Sequence, residues 1–183
     1  MSHNDMDNDR QSQAAEQVVR SSSDVLKDLA LSSTSCSKVK LQLARMCPDA
    51  VLPSYGRAGD AGLDLCSLES VIIAPLRRQL ISTGIRLAIP QGYAGFILPR
   101  SGHALKKGLS LVNAPGLVDS NYRGEICIIA YNSDPEVPLE IVRGERIAQL
   151  VIQAVPTVQI VECDEIDLDD TVRGQAGFGS SGD

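Results

Sequence analysis

Gln79-Leu80-Ile81-Ser82-Thr83-Gly84-Ile85-Arg86-Leu87-Ala88-Ile89, Pro90-Gln91-Gly92 and Tyr93-Ala94-Gly95-Phe96-Ile97-Leu98 follow one another in the chain. Two apolar runs of strand length flank a Pro/Gly turn, which is the signature of consecutive short strands. The same grammar continues outward. Upstream, Val39, Leu41 and Leu43 alternate with Lys40, Gln42 and Ala44, a period-two pattern, and Val71–Ile73 is a further strand candidate. Downstream the candidates are Ser110–Val112, Glu125–Asn132, Leu139–Val142 and Ile147–Val161, the last split at Pro156. Pro75, Gly84, Gly108, Pro115-Gly116, Pro135, Pro138 and Gly144 punctuate them. Many short strands with close turn signals predict an all-β barrel or jelly-roll. One short helix is expected near Ser101–Lys107, and no internal repeat is visible.

The 183 residues bound this to one domain by default, with length enough for a real core. Aromatic residues make up 3% and Trp is absent, so that core must be aliphatic. A net charge of −6 argues against nonspecific nucleic-acid binding, though not against a small anionic ligand gripped by local arginines. Cys36, Cys47, Cys66, Cys127 and Cys163 are scattered, without a C-x-x-C pair or a nearby His. They read as reduced thiols, and the expected compartment is the cytoplasm. No apolar run reaches membrane-spanning length, so no membrane partner is expected. Residues 1–37 are rich in Ser, Asp, Asn and Gln and read as a disordered N-terminal extension. Within them Val18-Val19, Val25-Leu26 and Leu29-Ala30 could form one short amphipathic helix. The domain proper is expected over 38–171, followed by a Gly/Ser-rich arm over 172–183.

Five segments carry chemistry. Arg173-Gly174-Gln175-Ala176-Gly177-Phe178-Gly179-Ser180-Ser181-Gly182 combines an Arg, four Gly and one of two Phe. That composition suits a mobile lid, with Arg gripping phosphate and Phe stacking on a base, against the plainer reading of a flexible tail. Ala58-Gly59-Asp60-Ala61-Gly62-Leu63-Asp64-Leu65 reads as a turn feeding a strand, or as a carboxylate holding water on a cation. Pro99-Arg100-Ser101-Gly102 follows an apolar strand and suits phosphate binding. Asn113-Ala114-Pro115-Gly116-Leu117-Val118-Asp119-Ser120-Asn121-Tyr122-Arg123-Gly124-Glu125 has the turn chemistry of a β-hairpin, but no turn requires its Asp119 or Tyr122. In Gly144-Glu145-Arg146-Ile147-Ala148-Gln149-Leu150-Val151-Ile152-Gln153 the amide of Gln149 falls inside an apolar strand and needs a partner. His103 is expected to sit exposed beside Lys106 and Lys107, without a special role.

In order and spacing, these five segments together resemble the trimeric dUTPase family, over Lys38 to the C-terminus. The resemblance implies a jelly-roll-like β-barrel, Mg²⁺-dependent hydrolysis of dUTP to dUMP and pyrophosphate, and a homotrimer whose sites lie between subunits. It implies that each site takes segments from all three chains, the C-terminal arm closing over it. Position by position, it makes Asp64 the carboxylate that orients the waters of the metal, which the phosphates hold. Arg100, Ser101 and Gly102 match the phosphate-binding segment. Gln149 matches the amide near the α-phosphate, and Asp119 the acid that activates the attacking water. Tyr122 matches the ring under the deoxyribose. Asn113 and the backbone of Gly116, Leu117, Val118 and Cys127 line the hairpin that reads uracil. Arg173 and Phe178 match the arm's phosphate and base contacts. Cys127 stands where the family varies and contacts base through its backbone.

Two rivals share this scaffold. dCTP deaminases carry a catalytic Glu on the strand after the hairpin, where this chain has Ile129. A non-catalytic nucleotide sensor would not need Asp64, Arg100, Asp119, Tyr122, Gln149, Arg173 and Phe178, all of which are present.

Overall fold

Along Glu125–Asn132 every second residue, Ile126, Ile128, Ala130 and Asn132, is buried while its neighbours are only half-buried. Along Arg78–Ala88 the buried side chains are Ile81, Thr83, Ile85 and Leu87, with Gly84 buried between them. A pleated strand turns successive side chains to opposite faces, so each segment puts one apolar row inward. These two strands pair antiparallel, and the pairing shifts register between Ser82 and Arg86. Gly84 lies in that irregularity, and its N–H donates to the Glu125 carboxylate at 2.8 Å.

The computed structural model of the chain describes residues 38–162. In chain order the strands are β1 (Gln42–Arg45), β2 (Ser54–Tyr55), β3 (Leu63–Cys66), β4 (Val71–Ile73), β5 (Arg78–Ala88) and β6 (Tyr93–Leu98). Helix α1 (Ser101–Lys107) follows, then β7 (Leu109–Leu111), β8 (Gly116–Val118), β9 (Glu125–Asn132), β10 (Leu139–Ile141) and β11 (Arg146–Ala154). They form antiparallel sheets in the orders β1-β5-β9-β7, β2-β3-β11-β6-β8 and β10-β4. All three sheets feed one aliphatic core, whose fully buried members include Leu65, Ile73, Ile81, Ile128, Ile141, Ile147 and Leu150. Each such side chain contributes about 1.5–3 kcal/mol on leaving water, which lets the fold dispense with aromatic packing.

The expected all-β architecture and the helix are present as read. Two short strands, β2 and β8, are additional, β3 is the strand into which the turn at Ala58–Gly62 feeds, and the last strand ends at Ala154 with no strand from there to Glu162. The alternation at the start of the domain pairs as a strand, yet β1 is exposed throughout, and Val39 and Leu43 remain outside the core. The readings made for residues 1–37 and for the arm over 172–183 lie outside the described residues.

Asn132 is the largest buried polar side chain of β9. Its Nδ2 donates to the carbonyls of Ile73 (3.0 Å) and Val137 (2.9 Å), and its Oδ1 accepts from Asp134 N–H (3.0 Å). One amide thereby ties β4 and the turn before β10 to β9. Asn132→Ala is expected to lose about 2–4 kcal/mol of stability, since each orphaned buried polar group costs about 1–3 kcal/mol. Thermal and urea unfolding measure it, and a loss below about 0.5 kcal/mol would show that water replaces the amide at no cost.

Candidate functional site

β11 lies between β3 and β6, and its register sets Gln149 opposite Asp64 on one side and Leu98 on the other. Residues directly opposite across a sheet project from the same face. Ala148 and Leu150, one step away, point into the core and are fully buried. The face that carries Asp64, Gln149 and Val151 forms the floor of a cleft of about 800 Å³. Arg100, Ser101, Gly102 and His103, at the start of α1, line it together with Arg57, Lys106, Lys107 and Arg146. Five basic side chains therefore face Asp60 and Asp64 in one cleft, on a chain whose net charge is −6.

Asp64 is held between two arginines. Its Oδ1 pairs with Arg100 Nε at 2.9 Å and its Oδ2 with Arg146 Nη1 at 3.3 Å, and its side chain is only 12% exposed. The Arg100 guanidinium is fixed in turn by donating from Nη1 to the Arg146 carbonyl at 3.0 Å. Gln149 finds the partner its position demands, donating from Nε2 to the Pro99 carbonyl at 3.0 Å. Its Oε1 packs against Gly62, where a Cβ would come within 2.6 Å of it. Only a glycine leaves the amide this room.

His103 differs from expectation. It is not an exposed neighbour of the lysines: its side chain is 17% exposed, with Nδ1 3.5 Å from Glu145 Oε1. That same oxygen accepts from Lys107 Nζ at 2.5 Å, and Glu145 Oε2 accepts from Val142 N–H at 3.0 Å. Burial pushes the Glu145 carboxyl up, but Lys107, the Val142 N–H and His103 outweigh it and hold it below the usual value. For His103 burial is the largest influence and lowers its pKa, which Glu145 opposes and Lys107, Arg100 and Arg146 reinforce.

The remaining candidates line a second cleft, of about 370 Å³. Asn113, Gly116, Leu117, Val118, Asp119 and Tyr122 come from the segment around β8, and Cys127 and Ile129 from the outer face of β9. Tyr122 is pinned at both ends. Its N–H donates to the Asp119 carbonyl at 3.1 Å and its hydroxyl to the Glu125 carbonyl at 2.9 Å. The ring lies so close over Gly124 that a Cβ there would collide with it. The Asp119 side chain is exposed. Burial raises the Cys127 thiol pKa, as Glu125 also does, which keeps it a neutral wall of the cleft. At Ile129, where a deaminase needs a carboxylate, the wall is apolar.

The two clefts share no lining residue. β6 passes between them, giving Leu98 to the first and Ile97 to the second, consecutive side chains on opposite faces of one strand. Within one chain, Asp119 and Tyr122 thus line a different surface from Asp64, Arg100 and Gln149. Arg173 and Phe178 lie outside the described residues.

No three His, Cys, Asp or Glu side chains converge as a metal cage among the described residues. Two carboxylates, Asp60 and Asp64, line the basic cleft, and each oxygen of Asp64 keeps acceptor capacity beyond its arginine. That donor set fits Mg²⁺, which retains waters and binds through few carboxylates plus substrate phosphates.

The sequence profile of the dUTPase family matches residues 48–182. The chain is 52% identical over 144 residues to the deoxyuridine 5'-triphosphate nucleotidohydrolase of Thermobifida fusca, covering 79% of each. It is 49% identical over 142 residues to that of Corynebacterium glutamicum, covering 78% of this chain and 94% of the relative. Among solved structures it resembles the Staphylococcus bacteriophage 80alpha dUTPase with dUPNHPP, at TM-score 0.73 and 30% identity, covering 78% of this chain and 98% of that one. It also resembles a mutant dUTPase from phage phi11 of S. aureus that coordinates a structural Mg(II) ion, at TM-score 0.65 and 26% identity, covering 69% and 97%.

Proposed function

The chain belongs to the dUTPase family and hydrolyses dUTP to dUMP, and we propose that it does so at sites where the two clefts, from different copies of a homotrimer, face each other. The observation that supports this is the division of the site residues. The phosphate-binding set and the set around Asp119 occupy separate clefts of one chain, each incomplete for the reaction.

In this reading the triphosphate lies in the basic cleft. Arg100, Ser101, Gly102 and Gln149 hold it, and Asp64 holds Mg²⁺ through water. Bound there, Mg²⁺ supplies charge neutralisation on the phosphate oxygens. Asp119, from the facing copy, accepts a proton from the water that adds across the α–β anhydride. Pyrophosphate leaves with its charge offset by Arg100 and its neighbours. Asn113 and the backbone of Gly116, Leu117, Val118 and Cys127 read the uracil edge. Cytosine exchanges donor and acceptor at N3 and at the 4-position and leaves buried groups unpaired. The thymine methyl meets the hairpin wall. Tyr122, held flat by its two hydrogen bonds, leaves no room for a ribose 2′-hydroxyl. Arg173 and Phe178 of the arm complete the phosphate and base contacts. In the cell this activity keeps uracil out of DNA and supplies dUMP for thymidylate synthesis, with the cytoplasm as its place of action. No helix among the described residues is long and apolar enough to cross a membrane.

The test is pyrophosphate release from dUTP, dCTP, dTTP and UTP, with and without Mg²⁺. dUTP is expected to exceed dCTP in kcat/KM by about 10⁴-fold, the discrimination typical of a site built to hydrogen-bond its substrate. Ammonia release from dCTP would instead establish the deaminase, and binding of dUTP without turnover the sensor.

A further inference from the structure

α1 carries His103 into the phosphate cleft, two residues beyond Ser101, and nothing in the reaction as described uses it. The ring is oriented: Nδ1 faces Glu145, whose carboxylate is itself fixed by Lys107 and the Val142 N–H. Of the two ring nitrogens, Nε2 is therefore the one left for another partner. With Nδ1–H facing the carboxylate, the neutral ring offers a lone pair at Nε2, which an anion does not accept. A second proton turns the same atom into a donor and makes the ring a cation.

We propose that His103 is a further phosphate-binding residue of this chain, taking up a proton as the phosphates enter the cleft. The proposal rests on the reading that the triphosphate lies against Arg100. The charged groups around the ring come from each element packed on it: Lys107 from its own helix, Arg100 just before that helix, Glu145 from the turn before β11, and Arg146 from β11. Without ligand, burial and the three cations disfavour the imidazolium, and only Glu145 favours it. A polyphosphate carries several negative charges into the same space. It offsets the three cations, adds its own attraction and reverses the balance on the ring. Protonation and anion binding then favour each other, as linkage demands. The sign follows. Anion affinity gains from His103 at pH values where the bound form is protonated, and the gain is lost as pH rises above that range.

The experiment follows the imidazole NMR signals of the full chain between pH 5 and 8. The chain has two histidines, His3 and His103, and H103Q assigns the signal. Inorganic pyrophosphate is the probe. The His103 midpoint is expected below its ordinary value in the free protein and at least about one unit higher at saturating pyrophosphate. In dUTP turnover assays, H103Q should weaken pyrophosphate inhibition about tenfold at pH 6 and less than about twofold at pH 8, the size of a lost charge-assisted hydrogen bond. A midpoint that pyrophosphate leaves unmoved, or equal inhibition of both proteins at both pH values, would overturn the proposal. Failure of the wild-type chain to release pyrophosphate from dUTP would overturn the reading beneath it, a different result from the same assay.

Discussion

Asp119→Asn lowers kcat for dUTP by about 10²–10⁴-fold, the usual contribution of a positioned general base, while the affinity for a non-hydrolysable dUTP analogue stays within a few-fold. The substitution keeps the size and polarity of the side chain and removes its capacity to take a proton. The fold does not depend on the carboxylate. The contact that shapes this part of the hairpin is the Asp119 backbone carbonyl accepting from Tyr122 N–H at 3.1 Å, which the variant retains. The side chain is exposed, so its replacement opens no cavity. Steady-state turnover, analogue binding by calorimetry and thermal unfolding separate the terms. Loss of binding or of melting temperature in step with kcat would make Asp119 a structural residue, and the base would have to be sought elsewhere.

Much of this fold is legible because burial follows the period of the strand. β5, β6, β9 and β11 each run at least six residues, long enough for an inward apolar row to stand out. β2 and β8, at two and three residues, are too short for a period to stand out in the sequence. β8 is further disguised by the Pro-Gly turn signal that opens it. β1 has the right period with the wrong consequence. Its alternation is real, but it pairs only with β5, and its apolar residues stay at the surface of the single chain.

The site is legible in a different way. Nothing periodic brings Asp64 to Gln149. Their meeting depends on β3 and β11 being neighbours in a particular register, a long-range fact that the ordered motifs imply only through the family they resemble. His103 shows the limit. Two lysines follow it closely in sequence, and local polarity argues for exposure. Its ion-pair partner is Glu145, a distant residue delivered by the turn before β11, which pairs with Lys107 as well. Tertiary partners decide the state of a titratable group, and a linear reading does not contain them.

Mixing two inactive chains should restore activity. Arg100→Gln removes the guanidinium that holds Asp64 and, in the proposed site, faces the phosphates, and Asp119→Asn removes the proposed base, so each homogeneous protein is expected to lose at least about 10²-fold in kcat/KM. The defects lie in clefts with no common lining residue. If a site joins the Arg100 cleft of one copy to the Asp119 hairpin of the next, a random mixture places an intact cleft against an intact hairpin in about one quarter of sites, as statistics over a cyclic trimer require. Activity then returns to about a quarter of the wild-type value once the chains are unfolded and refolded together. If both clefts serve one site within a chain, every site in the mixture keeps one defect and nothing returns. Native mass spectrometry of chains that differ in mass confirms that mixed trimers have formed. Mixed trimers without recovered turnover would refute the shared site and leave the family's reaction to be explained by a single chain. Recovery would assign the split between the two clefts its purpose: substrate is complete in its contacts only where two copies meet, and assembly becomes a condition of catalysis.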